Sequence, residues 1–283
     1  KMDGANSVAA TDSAAFVGGF KGRANGTVDR LLAKYDLVTG SLLWATTLGA
    51  STNRDSAFET VEITSNGGLI ASGVTNAQRG SFEGFKSYGN PSDGEGFVAY
   101  FAPDQLSPTI APQEPNWQIT LPQTISVKGI RELPDGSGYV LAAMNKDEQA
   151  SAYRLSTTGE VLWGINVTGH GEATDIAVLA QGTTVNGFAV TGHKGSNGTL
   201  DGCVTKLSLD GAEVWTKTYG DPIGGVGAYA GLGSGNPQLI YDECWGIRGT
   251  PDGGAVIGCG TGIEGCDFWP ANSAIRTECE SDP

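Results

Sequence analysis

The sequence predicts an all-β fold assembled from short, repeated sheets. Glycine accounts for 44 of the 283 residues, and the chain shows little Ala/Glu/Lys/Leu periodicity of the kind that long helices need. A strand–turn–strand phrase ending in tryptophan also recurs along the chain. It reads AKYDLVTGSLLW at 33–44, YRLSTTGEVLW at 153–163 and TKLSLDGAEVW at 205–215.

Two further phrases precede each tryptophan phrase. One is a glycine-rich turn followed by an apolar strand that ends in a small residue, as in GGLIASGVT at 67–75 and GFAVTGH at 187–193. The other is an upstream strand that leads into turns such as SNGG, PDGSG and PDGG, whose residues tolerate positive φ. Each unit therefore contains four short antiparallel strands.

Five such units can be counted in what we expect to be a single domain over residues 1–283. They span about residues 2–49, 54–122, 126–169, 171–222 and 241–283. A repeat of four antiparallel strands every ~45 to 50 residues predicts a β-propeller, in which neighbouring blades bury the sheet faces that one blade cannot bury alone.

The repeated tryptophans are interpreted as packing residues. Trp44, Trp117, Trp163 and Trp215 fall on the fourth strand of their units, where they are expected to fill the seam between neighbouring blades. Stacking on a sugar or a quinone is the functional alternative, but repeated aromatic residues in a repeat protein usually serve the core.

These residues resemble two groups of known propellers. The frame of an Asp-Gly or Asn-Gly turn, an apolar strand, a small residue and a Gly-x-x-x-Trp ending is similar to the repeats of secreted bacterial-type β-propellers. AKYDLVTGSLLW resembles the tryptophan-docking phrase of pyrroloquinoline quinone dehydrogenases and their non-enzymatic relatives, matching it at Ala33, Asp36, Thr39, Gly40 and Trp44. The resemblance implies the fold. It does not imply the quinone, because about eight blades, a calcium site and a vicinal cysteine pair would be needed as well.

Charge and hydropathy exclude two classes of function. The formal charge is −14, from 17 basic and 31 acidic residues without a basic cluster, so nucleic-acid binding is not expected. No stretch approaches the ~18 apolar residues of a membrane span.

The common signatures of catalysis are missing from the sequence, and we assign no catalytic residue and no cofactor. The chain has neither a P-loop nor an H-E-x-x-H motif nor a nucleophile elbow. An acidic residue does recur at the start of the units, and turn capping is its simplest role. The alternative is a ring of carboxylates that binds a cation such as calcium. The candidate ligands are Asp3, Asp55, Glu172 and Asp242.

Cysteines and glycosylation sequons favour an extracellular or cell-surface location. Asn25, Asn166 and Asn197 each begin an N-x-[ST] sequon and are candidate glycosylation sites. All five cysteines lie in the last 81 residues, without a C-x-x-C pair. The favoured disulfide is Cys259–Cys266, with Cys244 as a competing partner of Cys259 because their strands should pair.

The fifth unit is expected to be incomplete. When it is aligned on the others, 277–283 stands just before the glycine turn and the tryptophan strand, so the chain stops one strand short. We expect the 283 residues to be part of a longer propeller, or a partner chain to supply the strand. The expected function is that of a binding or structural module in a larger secreted or surface glycoprotein assembly, whose partners are protein chains or glycans. The alternative is a propeller enzyme acting on glycans or other extracellular substrates.

Overall fold

The computed structural model describes residues 3–49, 53–79, 93–147, 149–196, 199–219 and 241–262. These ranges are almost entirely β-structure, and the one helical element within them is a 3₁₀ turn at Pro103–Gln105. No helix within these ranges has the length and apolar character needed to cross a membrane.

The eighteen described strands form four complete sheets and part of a fifth. Blade 1 contains β1 (Asp3–Ala10), β2 (Ala14–Gly22), β3 (Val28–Asp36) and β4 (Leu42–Leu48). Blade 2 contains β5 (Asp55–Ile63), β6 (Leu69–Ala77), β7 (Glu95–Phe101) and β8 (Trp117–Thr120). Blade 3 contains β9 (Thr124–Glu132), β10 (Tyr139–Asn145), β11 (Ala150–Leu155) and β12 (Val161–Asn166). Blade 4 contains β13 (Glu172–Gln181), β14 (Thr184–Ser196), β15 (Thr199–Leu207) and β16 (Glu213–Tyr219). The described part of blade 5 is the hairpin of β17 (Tyr241–Gly249) and β18 (Ala255–Gly262), which also meets β15 through one parallel pair, Leu200 and Tyr241.

The first strand of each blade lies innermost. Strands β1, β5, β9, β13 and β17 all contribute residues to one central cavity, and within each complete blade the strands follow outward in chain order. Antiparallel four-stranded sheets arranged in this way around an axis are a β-propeller. The predicted fold class, an all-β propeller of four-stranded antiparallel blades, is confirmed. The predicted incompleteness of the fifth blade concerns residues 263–283, which lie outside the described residues.

The hydrophobic core lies between the blades rather than within any one of them. Each of three large clusters joins two consecutive blades, so burial of apolar surface holds the ring together. The fully buried members of these clusters include Leu32 and Phe58 from blades 1 and 2, Ile70 and Ile130 from blades 2 and 3, and Val140 and Ile176 from blades 3 and 4.

Glycines in the repeated tryptophan phrase are required by the turn. Gly40, Gly159 and Gly211 each lie between the third and fourth strands of a blade and have φ of 69°, 85° and 87°. Residues with a Cβ adopt this left-handed conformation at a cost, so the recurring glycine before each tryptophan strand has a backbone cause.

Two of the repeated tryptophans are anchored by hydrogen bonds to a neighbouring blade. Trp44 is 7% exposed and its Nε1 donates to the carbonyl of Ser107 at 2.8 Å. Trp163 donates in the same way to the carbonyl of Leu209 at 3.2 Å. Both residues therefore serve as seam residues, as the repeat pattern predicts.

Trp117 also fills a seam, whereas Trp215 is more open. The ring of Trp117 lies between Tyr100 of its own blade and Tyr139 of blade 3, with ring centroids 5.8 and 6.3 Å away. Trp215 on β16 is 39% exposed. The packing interpretation holds for the three tryptophans that face complete blades.

The predicted disulfide partner of Cys259 is wrong. Cys259 is bonded to Cys244, which lies directly opposite it in the β17–β18 ladder. The antiparallel register places Cys244 and Cys259 opposite each other. The prediction of Cys266 relied instead on its short separation from Cys259 in the sequence. Cys266 itself lies outside the described residues, and Cys203 is a buried free thiol.

Candidate binding site at the propeller axis

Each innermost strand carries a β-bulge at an equivalent position. In every case one residue is skipped in the pairing between the first and second strands of the blade. The skipped residues are Asn6 in β1, Glu59 in β5, Lys128 in β9, Thr174 in β13 and Trp245 in β17. We call this set the axial bulge ring. All five residues line the central cavity, which has a volume of ≈ 380 Å³. Bulges commonly re-aim a side chain next to a functional site.

Glycines on the second strand leave room for three of these bulges. A Cβ at Gly19, Gly73 or Gly192 would lie 2.0, 2.1 and 1.9 Å, respectively, from a carbonyl oxygen of the adjacent inner strand. Real side chains do not tolerate such contacts with backbone. The small residues that recur in the second strand of the repeats are therefore needed where the inner strand bulges.

Side chains of one inner strand hydrogen-bond the backbone of the next. Between β1 and β5, Asn6 Nδ2 donates to the carbonyl of Phe58 at 2.8 Å, and Ser7 Oγ accepts from the amide of Val61 at 3.2 Å. The β5–β9 and β13–β17 pairs are joined similarly, so these backbone edges are already occupied. Their bonds are Thr60 Oγ1 to Lys128 O (2.6 Å), Glu132 N to Glu62 Oε1 (2.8 Å), Thr174 Oγ1 to Cys244 O (2.6 Å) and Ile247 N to Asp175 Oδ2 (3.1 Å).

Asp175 is the centre of an ion network that joins blades 3, 4 and 5. Its two oxygens accept from Nη2 of Arg131 at 2.7 and 2.8 Å, and Oδ2 accepts from Nη1 of Arg248 at 2.6 Å. The amides of Ile176 and Ile247 donate to the same carboxylate at 2.9 and 3.1 Å. The side chain is only 11% exposed, so its charge is compensated by the two arginines and the two amides.

Glu62 extends this network on the blade 2 side. Its carboxylate lies 3.4 Å from Nη1 of Arg131, whose side chain is 10% exposed. Burial raises the pKa of Glu62, and the guanidinium of Arg131 opposes that rise. Burial likewise lowers the pKa of Arg131, and the carboxylates of Asp175 and Glu62 oppose that change. The Nε of Arg131 is buried and has no hydrogen-bond partner among the described residues.

Two of the acidic residues predicted as cation ligands bind backbone amides in the structure. Asp3 is exposed and accepts from the amide of Gly22 at 2.8 Å, while Asp55 is buried and accepts from the amide of Val28 in blade 1 at 2.9 Å. Both contacts are backbone capping. Within the ranges that the structure describes, no three His, Cys, Asp or Glu residues lie together in a way that could hold a metal ion.

Among the predicted ligands whose side chains the structure describes, Glu172 is the one that lines the central cavity. Its Oε2 lies 3.3 Å from Nε2 of His193 in the adjacent strand. The side chain of Asp242, the fourth predicted ligand, lies outside the described residues.

Two of the three sequons are described. The side chains of Asn25 and Asn166 are exposed, and Oδ1 of Asn25 accepts from the hydroxyl and the amide of Thr27 at 2.7 and 3.1 Å. Asn197 lies outside the described residues. Glycosylation of all three stays a prediction.

A buried histidine and cysteine lie together in blade 4. Nδ1 of His170 is 3.1 Å from Sγ of Cys203, and Nε2 is 2.8 Å from Oγ1 of Thr205. Burial lowers the pKa of His170 to about 4 and raises that of Cys203 to about 12. At neutral pH the imidazole is uncharged and the thiol is protonated, so the pair is a packed interior contact and not an activated nucleophile.

The sequence alone does not reveal most of the residues of the axial site. Local sequence does not mark Asn6, Glu59, Lys128, Thr174 or Trp245, because a bulge is a property of strand pairing. The signal that could have located them is the small residue repeated in the second strand, since it stands opposite the bulge.

Comparison with known proteins gives likenesses only among solved structures. No family model and no curated protein matches the chain. The WD40 domain of Pan2 from Neurospora crassa aligns with a TM-score of 0.47 and 10% identity, over 89% of this chain and 58% of that one. Hydrazine synthase of Kuenenia stuttgartiensis aligns with a TM-score of 0.49 and 12% identity, over 90% of this chain and 73% of that one.

The β-propeller domain of the Trilobed protease from Pyrococcus furiosus is a third similar structure. It aligns with a TM-score of 0.43 and 9% identity, over 77% of this chain and 57% of that one. The chain thus spans less than two thirds of the length of the Pan2 and protease structures. These likenesses concern the fold and carry no activity or ligand to this chain.

Proposed function

We propose that the chain is a binding module of a larger extracellular glycoprotein assembly and that it takes its ligand at the axial bulge ring. The observation that carries this proposal is the chemistry of the ring. An amide, a carboxylate, an amine, a hydroxyl and an indole occupy equivalent positions on five inner strands around one cavity. Packing alone would favour similar apolar residues, whereas convergent and unlike polar groups in a concave site are typical of ligand recognition.

Two features support an extracellular location. The Cys244–Cys259 disulfide fits an oxidising compartment. Asn25 and Asn166 are exposed, as glycan acceptors must be.

Two of the four carboxylates that line the cavity are arranged for structure and not for hydrolysis. Glycoside hydrolysis needs one carboxyl group to act as an acid while another acts as a base or nucleophile. Asp175 is engaged by two arginines and two amides, and Glu62 is engaged by Arg131 and the amide of Glu132. These groups stabilise the ring.

Site-specific photo-crosslinking tests the proposed function. Benzoylphenylalanine replaces Lys128 in the axial bulge ring or, as a control in the same blade, Leu162 on the outer strand β12, which is 53% exposed. We expect the Lys128 variant, irradiated in the native extracellular fraction, to form adducts that excess wild-type protein suppresses. Equal labelling from both positions, or no suppressible adduct from Lys128, would contradict the proposal.

A further inference from the structure

We propose that the axial bulge ring recognises a neutral oligosaccharide, free or attached to a partner protein, with Trp245 as the surface on which a sugar ring stacks. This inference rests on the proposed binding function and specifies its ligand.

The charges of the cavity favour a ligand without net charge. Both signs line it in nearly equal number, and the two arginines are already paired with Asp175. A strongly charged ligand would meet like charges on one side of the cavity. The charged residues of the lining are Glu59, Glu62, Glu172, Asp175, Lys128, Arg131 and Arg248.

The hydrogen-bonding groups suit a ligand rich in hydroxyls. Glu59 carries acceptors, Lys128 carries donors, and Asn6 has an amide oxygen that accepts in addition to the amide nitrogen that donates to Phe58. The hydroxyl of Thr174 donates to the carbonyl of Cys244, so toward the cavity it can serve as an acceptor. A sugar hydroxyl donates and accepts at once, so it can bridge such unlike neighbours.

An exposed aromatic surface completes the site. Trp245 lines the cavity and is 47% exposed, unlike Trp44, which is 7% exposed in its seam. Val8, 65% exposed, lines the same cavity from β1. A flat indole suits the apolar C–H face of a pyranose while the polar groups bind its hydroxyls. The cavity volume of ≈ 380 Å³ is within the range of about 300–1,000 Å³ found for small-ligand sites.

The inner strands do not favour an extended peptide. A peptide that adds to a sheet needs a free backbone edge. The hydrogen bonds of Asn6, Thr60 and Thr174 to the neighbouring inner strands occupy that edge at three seams. A saccharide, which binds through its hydroxyl groups, therefore fits the cavity better than a peptide that binds through its backbone.

The test is a titration with neutral oligosaccharides. The probes are di- to tetrasaccharides of glucose, mannose, galactose and N-acetylglucosamine, followed by calorimetry and tryptophan fluorescence. We expect Trp245→Ala to weaken binding by about tenfold or more, equivalent to ~1.4 kcal/mol, and Trp245→Phe to retain part of the affinity. Trp215→Ala is the matched control, since Trp215 is 39% exposed but lies outside the cavity. Unfolding midpoints confirm that each variant folds.

Two further measurements identify the source and the charge of the ligand. A glycoprotein with neutral N-glycans is tested before and after enzymatic removal of the glycans, which separates attached from free saccharide. The affinity of a neutral ligand should change little between about 50 and 500 mM salt. Equal binding by wild type and Trp245→Ala, or failure of every saccharide, overturns the inference. If saccharides fail but the Lys128 crosslink still forms, the ligand class is wrong and the binding function stands.

Discussion

Removal of the Asp175 carboxylate should destabilise the propeller more than removal of any exposed charge. Asp175→Ala leaves Arg131, 10% exposed, without the carboxylate that its Nη2 binds and leaves the amides of Ile176 and Ile247 without their acceptor. Breaking a buried pair costs about 3–5 kcal/mol. Since Glu62 stays 3.4 Å from Arg131 and compensates part of its charge, we expect a loss near the lower limit, about 3 kcal/mol.

The assay is urea unfolding followed by tryptophan fluorescence. The control is Arg54→Ala, which breaks the exposed Arg54–Asp93 pair of 2.8 Å and should cost less than about 1 kcal/mol. The double variant Arg131→Met with Asp175→Leu should lose less stability than Asp175→Ala alone, because it leaves no buried arginine unpaired. Equal losses for Asp175→Ala and Arg54→Ala would refute the reasoning.

Three other outcomes are expected. The pKa of His170 is about 4 in the folded protein against 6.5 for the free side chain, so the unfolded chain binds the extra proton. Stability should therefore fall by up to about 3 kcal/mol as the pH drops from 6.5 to 4, and His170→Gln should flatten that part of the urea-midpoint profile. Gly192→Val places a side chain against the bulged strand and should cost about 3 kcal/mol or prevent folding. Gly258→Val, where a Cβ meets no described atom within 4 Å, should leave the thermal midpoint within a few degrees. Reduction of Cys244–Cys259, whose cysteines are 15 residues apart, should lower the stability of the β17–β18 hairpin by about 3 kcal/mol. Faster amide exchange confined to β17 and β18 would show this, and unchanged exchange would contradict it.

The repeats made the architecture predictable, because turns and strand faces leave local marks in a sequence. Gly40 before its tryptophan strand and Trp44 in its seam could both be placed from the pattern alone. Contacts between residues on neighbouring strands could not be predicted in this way, since they depend on the register of the strands. Cys244 could be named as a competitor for Cys259, but only the ladder sets the two opposite each other. For the same reason the sequence does not reveal Lys128 and Trp245, which can be recognised as bulge residues only when the pairing of the first and second strands is known.

The bulges also separate the path of an inner strand from the identity of the side chain that projects from it. Where a glycine faces the bulge, as Gly19, Gly73 and Gly192 do, backbone sterics fix the path of the strand and not the identity of the projecting side chain. One blade can exchange its projecting residue while the others keep theirs. A lineage, or a protein engineer, could thus change the ligand preference of this scaffold blade by blade, provided that a replacement of Asn6 or Thr174 keeps the hydrogen bond to the next inner strand.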